Sequence, residues 1–221
     1  LDYTAIDSSK AVQIGLDPTT GKPIYQPGTG LITKNLLYDR VGDLRNEDQE
    51  YTFILLTDAA LEAERNKIRP YVQVAQTGIT ERLSSLHVIK DLVFKGAYTQ
   101  QQLTSNMVSA DGVNVPINQN AILETHVTSN GIVYIMNVAD VKLVDKIRPI
   151  KREGEMPDGF SRNDKNGNIA YRIRLNPNTG QQFNDIYIFN HKVPLFNVRY
   201  NLKELYKVPY KVYWVAPNDV Q

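Results

Sequence analysis

The chain has 221 residues with 25 basic and 24 acidic side chains, which gives a formal charge of +1 at pH 7. A chain so close to neutral lacks the electrostatic field that draws proteins to nucleic acid or to anionic membranes, so neither is an expected partner. Cysteine is absent, which excludes disulfides, thiolate nucleophiles and thiolate metal ligands.

The first part of the chain predicts an arm or a hairpin, followed by a helix. Residues 1–30 are polar and rich in turn-forming Pro and Gly, which indicates either an irregular arm or a hairpin around residues 17–21. Apolar residues then recur at helical spacing over residues 31–44, which predicts an amphipathic helix: Leu36, Leu37, Val41 and Leu44.

Residues 51–61, which read YTFILLTDAAL, predict a strand that leads directly into a helix. The first six are mostly apolar at alternating and intervening positions, which is typical of a strand buried on both faces. Either Thr57 or Asp58 could cap the helix that follows over residues 60–68, and the charge of Asp58 also suits the positive end of the helix dipole.

The central part of the chain predicts alternating helices and strands. Residues 79–89 read as a helix that gives way to a strand, and residues 99–103 as a short helix. Asn130 and Gly131 tolerate the positive φ of tight hairpins, so they predict a turn between two antiparallel strands.

The composition changes after residue 145. Residues 146–159 are charged and contain two prolines, which predicts a connector. Four strands are then expected, beginning at residues 169, 185, 195 and 209, and they form a β-rich module over residues 160–221. In the first strand, alternation predicts that the apolar side chains face inwards and the arginines outwards: Ile169, Tyr171, Ile173 and Leu175 against Arg172 and Arg174. Because a complete sandwich needs about seven strands, the module either packs against the preceding domain or continues beyond the chain.

Three segments resemble the signature regions of fasciclin-type domains, in the family's order. They are residues 51–61, residues 83–103, which read LSSLHVIKDLVFKGAYTQQQL, and residues 130–138, which read NGIVYIMNV. The resemblance covers roughly residues 30–145. It implies an α+β fold in which a β-sandwich or wedge over residues 31–145 is flanked by helices, with the smaller all-β module after it.

The resemblance also implies a non-catalytic protein that acts in adhesion or assembly at a cell surface or outer membrane, outside the cytoplasm. The expected partner is a protein or a glycan, and the family suggests a bacterial lipoprotein whose lipid anchor lies outside this chain. The family associates a Tyr-His pair with receptor recognition, which implies partner contacts for His87, Val88 and Ile89, although Leu86 stands at the Tyr position.

Three further partner-binding candidates follow from the same resemblance. Asp58 matches an acidic or amide position of the first region. In the second region, Tyr134 stands where the family commonly has His, and Asn137 where it has Asp, which removes the acid. Helix capping for Asp58 and a hydrogen-bonded core position for His87 are the alternatives that need no partner.

No motif for bond-breaking chemistry or for a cofactor is present. The chain lacks Gly-x-Ser-x-Gly and both glycine-rich nucleotide signatures. His87, His126 and His191 are far apart in sequence and match no metal-ligand spacing, so neither a metal nor a cofactor is expected. Residues 164–168 resemble part of a calcium loop but lack its distal Glu, so a hairpin turn is the preferred interpretation.

Aromatic residues accumulate towards residue 214. Alternation places Trp214 with Tyr210 and Val212 on one face of the last strand, and that face is expected to be buried. Tyr213 then points to the opposite side, where its ring could stack on a sugar. The alternative function is therefore a glycan-binding accessory protein of an outer-membrane nutrient-uptake system.

Overall fold

The structure is a computed structural model that describes residues 2–17, 22–160, 169–189, 196–202 and 205–215. The predicted turn over residues 164–168 and His191 lie outside the described residues. The strands and helices are β1 (Asp2–Ile6), β2 (Gln13–Leu16), β3 (Pro23–Tyr25), β4 (Leu31–Asn35), α1 (Leu36–Val41), β5 (Tyr51–Leu56), α2 (Asp58–Val72), α3 (Thr77–Ile89), β6 (Val93–Lys95), β7 (Met107–Val108), β8 (Asn114–Val115), β9 (Ile122–Thr128), β10 (Gly131–Met136), α4 (Leu143–Lys146), β11 (Gly159–Phe160), β12 (Ile169–Leu175), β13 (Gln182–Ile188) and β14 (Val198–Arg199). Single 3₁₀ turns occur at Lys90–Leu92, Gln100–Gln102 and Gln119–Ala121.

The chain is a mixed α+β protein, as the sequence predicts, with several small sheets of which none closes among the described residues. It divides into two compact units that are each discontinuous in sequence. Unit 1 comprises Leu1–Tyr3, Lys34–Arg148 and Leu205–Gln221, and unit 2 comprises Thr4–Thr33 and Pro149–Glu204. The sequence instead predicted consecutive domains, in which residues 205–221 belonged to the β-rich module and residues 1–30 formed a separate arm.

The main sheet of unit 1 has four strands in the order β6-β5-β10-β9. The central strands β5 and β10 run parallel, with Tyr51 opposite Gly131, and the outer strands β6 and β9 are antiparallel to them. The strand predicted at residue 51 and the hairpin predicted around Asn130 are therefore confirmed. One face of β5 and β10 contributes to the main core of the unit, through Ile54, Leu56, Tyr134 and Met136.

The helix predicted over residues 31–44 is shorter than expected. Residues 31–35 form β4, which pairs with β1, and only Leu36–Val41 are helical. Asn35 explains the boundary because its side-chain oxygen accepts a hydrogen bond from the Leu37 amide at 2.9 Å and so caps the helix.

The helix after β5 is longer than predicted. It extends over Asp58–Val72, and the cap is Thr57, whose hydroxyl accepts a hydrogen bond from the Ala60 amide at 3.4 Å. Of the two residues that the sequence left open as caps, Thr57 is therefore the cap and Asp58 is not. Asp58 is an exposed first-turn residue, where its charge still faces the positive end of the helix dipole.

In unit 2, the hairpin of β12 and β13 is orientated opposite to the prediction. The strand β12 has the predicted bounds, but Tyr171, Ile173 and Leu175 are 60–73% exposed. The other face is the more buried one because Arg172 donates two hydrogen bonds to Asp185, at 2.9 and 2.7 Å. The guanidinium of Arg172 also stacks over a tyrosine of β13, with 4.0 Å to the centre of the Tyr187 ring.

The last two predicted strands differ most from the structure. The strand expected from residue 195 is reduced to the two residues Val198–Arg199, and residues 209–215 belong to no strand. Trp214 was expected to be buried, yet it is 67% exposed. Residues 209–215 do have the side-chain pattern of a strand, but no described strand lies beside them to form a sheet.

We predict that Gly131→Ala lowers the free energy of unfolding by at least about 3 kcal/mol. Gly131 has a φ of 154°, and a Cβ atom here would lie 1.8 Å from the carbonyl oxygen of Tyr51 in the neighbouring parallel strand. Urea unfolding measures the change.

The matched control for this substitution is Gly78→Ala. Gly78 lies in α3 with no heavy atom within 4 Å of its added Cβ, so the same methyl group should stabilise the protein by about 0.5–1 kcal/mol. Equal effects of the two substitutions would contradict the close approach of β5 and β10 at Gly131.

Candidate functional site

A network of buried charges forms at the end of α3. Lys90 and Asp91 lie in the 3₁₀ turn that follows the helix, and both are almost fully buried. The ammonium group of Lys90 donates to Asp91 and to Asp111, the latter at 2.7 Å. Asp111 comes from the loop between β7 and β8, 21 positions after Lys90, so two separate segments share one cation.

Three further cations complete the network. Lys146 of α4 is buried and donates to Asp91 and to the carbonyl of His87. Arg40 of α1 binds Asp111 through two hydrogen bonds, at 2.6 and 3.0 Å, and Arg148 approaches Asp111 at 3.3 Å. Burial opposes ionisation of Asp111, but the hydrogen bonds from Arg40 and Lys90 outweigh it and hold the pKa of this carboxyl below its usual value.

His87 lies beside this network and contacts a residue far away in sequence. Its Nδ1 atom is 2.8 Å from the hydroxyl oxygen of Tyr206, and the two rings are tilted with their centres 4.9 Å apart. Burial, together with the charge of Lys90, lowers the pKa of His87 to about 4. Burial and the carboxylates of Asp91 and Asp111 raise the pKa of Tyr206, so both side chains are neutral at pH 7.

Tyr206 anchors residues 205–208 to unit 1. Its side chain is buried in the main core, and Val208 packs against the same core. The backbone amide of Lys207 donates to the carbonyl of Tyr71 at 2.8 Å, and the amide of Tyr206 donates to the hydroxyl of Tyr210 at 3.1 Å. These contacts fix the point at which the chain leaves the core.

The residues that follow this anchor are exposed. We call residues 209–215 the presented segment, because all seven are exposed while residues 206 and 208 are held in the core. Among its large apolar side chains, four consecutive ones are the most exposed, at 67–89%: Val212, Tyr213, Trp214 and Val215. A partner that covered these apolar side chains would remove them from water, and the hydrophobic effect would favour that binding.

The predicted partner-binding residues fall into three groups, which are exposed, buried and, for His87, half-buried. Three of them are exposed: Asp58, Asn137 and Tyr213. Two are fully buried, since Val88 is 2% and Tyr134 only 1% exposed, and the hydroxyl of Tyr134 donates to the carbonyl of Tyr98 at 2.9 Å. Val88 and Tyr134 are therefore core residues and offer no surface to a partner in this structure.

His87 is half-buried, and Ile89 shares this intermediate exposure. The alternative in which His87 is a hydrogen-bonded core residue describes its contact with Tyr206 directly. The exposed candidates Asp58 and Asn137 flank the main sheet after β5 and after β10 respectively, whereas Tyr213 belongs to the presented segment.

The sequence did not identify Tyr206 or the charged network. Lys90, Asp91, Asp111 and Lys146 are ordinary charged residues in sequence, and nothing local distinguishes them from solvated ones. The only available signal was Lys90-Asp91 directly before the apolar residues Leu92, Val93 and Phe94, since charges adjacent to a core strand must be paired if they are buried.

We predict that the free energy of unfolding falls as the pH is lowered from 6.5 to 4, by up to about 3 kcal/mol from His87 alone. The unfolded chain protonates His87 below its ordinary pKa of 6.5, whereas the folded chain does so only near pH 4. Between these values the unfolded state binds more protons, so acid favours it. Urea unfolding at a series of pH values measures the slope.

The variant His87→Gln should flatten this slope, because Gln can hydrogen-bond to Tyr206 but does not titrate. His126 is exposed and is paired with Glu124 at 3.0 Å, so His126→Gln is the control and should leave the slope nearly unchanged. An undiminished slope in His87→Gln would show that other groups cause the acid sensitivity.

No match to a protein-family model, a curated protein or a solved structure was found for this chain. None of the helices in the described ranges combines the length and the apolar character that a bilayer span requires. The same part of the chain contains no group of three or more His, Asp or Glu side chains placed to hold a metal ion.

Proposed function

We propose that this chain is a non-catalytic protein that binds a partner through its presented segment, in adhesion or assembly at a cell surface outside the cytoplasm. The observation that carries the proposal is the run of exposed apolar side chains at residues 212–215, held at a fixed exit point by Tyr206. Tyrosine and tryptophan are enriched at the centres of protein interfaces, where they account for much of the binding energy.

The anchor makes the presented segment suitable for binding. Tyr206, Lys207 and Val208 are ordered by contacts with the main core of unit 1. A partner therefore needs to order only the residues beyond them, which reduces the entropic cost of association. Covering Tyr213 and Trp214 then supplies hydrophobic free energy in proportion to the area that leaves water.

The resemblance to fasciclin-type domains supports a role in adhesion. Two of the three family-like segments, residues 51–61 and 130–138, contain the neighbouring parallel strands β5 and β10. The third segment begins in α3, and its residue Val88 belongs to the same core as Ile54 and Tyr134. We accordingly propose a fasciclin-type domain that is exported and attached to a membrane by a lipid outside this chain.

The contacts of the buried network favour a binding protein over an enzyme. Lys90 and Lys146 are both paired with carboxylates, and an ion-paired ammonium has no lone pair with which to attack a substrate. The Nδ1 atom of His87 is engaged by Tyr206. Of these groups His87 contacts Tyr206 directly, and we call this contact between His87 and Tyr206 the clasp, because it holds residues 205–208 to unit 1.

We predict that replacing both Tyr213 and Trp214 by Ala weakens adhesion to the cell surface at least about tenfold, since two interface aromatics commonly contribute about 2 kcal/mol or more each. Fluorescent beads that carry the purified chain, coupled through its N-terminal amine, are incubated with intact cells of the bacterium that encodes it. Flow cytometry measures bound beads against protein concentration on the bead.

Tyr171→Ala is the matched control, because Tyr171 is 60% exposed but lies in the hairpin of unit 2. It should leave adhesion unchanged. Equal adhesion by the wild type and the Tyr213→Ala, Trp214→Ala variant would refute a role for the presented segment.

Glycan binding is the second candidate function, because Tyr213 is 84% exposed and its ring can stack on the apolar face of a sugar. We predict that, if this function is correct, the wild type binds a subset of carbohydrates on a glycan array and Tyr213→Ala loses that binding. Tyr171→Ala should retain it. An array without signal for the wild type would eliminate this candidate and leave the protein-binding proposal in place.

A further inference from the structure

The outer edge of β9 is an open sheet edge in unit 1. β9 has seven residues, Ile122–Thr128, and pairs with β10 on one side, while no described strand pairs with its other side. The strand contains neither proline nor lysine, which commonly block strand addition at exposed edges, and its one bulge, at Leu123, leaves residues 124–128 in regular register with β10. Its backbone donors and acceptors on that side are therefore available to another strand.

The side chains of β9 also indicate that something covers this edge. Leu123 is 54% and Val127 is 82% exposed, and Val127 lies opposite Ile132 on the face of the sheet that carries the core residue Tyr134. The apolar surface of the core face thus continues onto β9 but is left open to water. An additional strand with apolar residues at alternate positions would complete it.

The presented segment has the composition of such a strand. Residues 209–215 read PYKVYWV, which is rich in the β-branched and aromatic residues that favour strands, yet the segment belongs to no strand among the described residues. Strand addition to an open edge is an established mode of recognition, in which backbone hydrogen bonds supply affinity and alternate side chains supply specificity.

The charges and the alternation of side chains favour the same register of the presented segment against β9. The presented segment has one charged residue, the exposed Lys211, and β9 has one carboxylate, Glu124, whose side chain is 60% exposed. Placing Lys211 on the same face as Glu124 puts the alternate residues Val212 and Trp214 on the face of Thr125 and Val127, which lie opposite Tyr134 and Ile132 of β10. A slip of one residue would break both matches, so the charge pair favours this register.

We propose that the presented segment of one copy adds as a strand to the outer edge of β9 in a second copy of the chain. The proposal rests on the proposed function and names the partner of the same segment. Every copy carries both the donor segment and the acceptor edge, so two copies can exchange segments reciprocally, or many can link in a row.

The area that becomes buried is large enough for a specific complex. An aromatic side chain that becomes covered loses roughly 150–250 Å² of accessible surface, and the surface that covers it loses a comparable area. For Tyr213 and Trp214 in two reciprocal copies, the total is roughly 1,000 Å² or more, which reaches the lower limit of stable specific interfaces.

The experiment is sedimentation velocity of the full chain over a range of micromolar concentrations, with single charge reversals and their mixture. The wild type should associate reversibly. Glu124→Lys and Lys211→Glu should each raise the dissociation constant about tenfold, because each places like charges opposite one another in both contacts of a reciprocal dimer. Both positions are exposed, and circular dichroism confirms that the fold is intact.

Mixing the two reversed variants is the decisive measurement. In the mixture, the lysine introduced at position 124 of one variant would face the glutamate introduced at position 211 of the other. The converse contact would regain its natural pair, so association should recover to near the wild-type level. Because the N–H groups of successive strand residues point to opposite sides, one of the two variants Val212→Pro and Tyr213→Pro removes a donor directed at β9, and that variant should abolish association in every combination. Recovery on mixing excludes an effect confined to one copy.

Two outcomes would overturn the inference: a wild type that remains monomeric throughout, or an association that is insensitive to both charge reversals and to both proline variants. Neither outcome affects the proposed function, because adhesion of the beads to cells through Tyr213 and Trp214 is measured separately. Conversely, association that follows the predicted pattern, with no adhesion to cells, would retain strand exchange and remove the adhesive role.

Discussion

Compensation of two buried carboxylates is the constraint on which unit 1 depends. Asp91 and Asp111 are almost completely excluded from solvent, and their partners come from α1, from the 3₁₀ turn after α3 and from α4: Arg40, Lys90 and Lys146. Breaking a buried ion pair by removing one partner typically costs about 3–5 kcal/mol, because a charge is then left without compensation. These segments must therefore assemble together. Once assembled, they bury His87 beside Lys90, which keeps its imidazole neutral, and its Nδ1 atom makes the hydrogen bond with the hydroxyl of Tyr206.

The contact between His87 and Tyr206 links the interior of unit 1 to its exposed surface. Tyr206 contacts His87 inside the unit, and only a few residues later Val212 is 87% exposed. The transition is abrupt because the anchor uses backbone and ring contacts within residues 206–208, while the apolar side chains beyond them find no described strand to join. Packing of Tyr206 and Val208 in the core thus fixes the start of the presented segment, and the exposed side chains of residues 209–215 can contact a partner.

The sequence predicted features that depend on local pattern. The strand β5, the hairpin of β9 and β10, the bounds of β12 and the α+β class all follow from residues close together in the chain. It failed where the outcome depends on distant partners. Alternation in β12 predicted two faces correctly, but Asp185 and Tyr187 of β13 decide that the arginine face is the inner one. The burial of Val88 and Tyr134, the clasp of Tyr206 and the lack of strand structure over residues 209–215 have the same origin, since no local pattern states which neighbour the fold provides.

The parallel pairing of β5 and β10 has a consequence for biosynthesis. Tyr51 lies opposite Gly131, so 80 residues separate the partners, and the neighbour on the other side, β6, begins at Val93. At typical ribosomal speeds of about 5–20 residues per second, β5 leaves the exit tunnel roughly 4–16 s before its parallel partner does. Until β6 emerges, an apolar strand of six residues has two open sides, and one side stays open until β10 follows; such non-local pairings are intrinsically slow to form. Production of this chain in a foreign host should consequently benefit from slower translation or from chaperones that shield nascent strands.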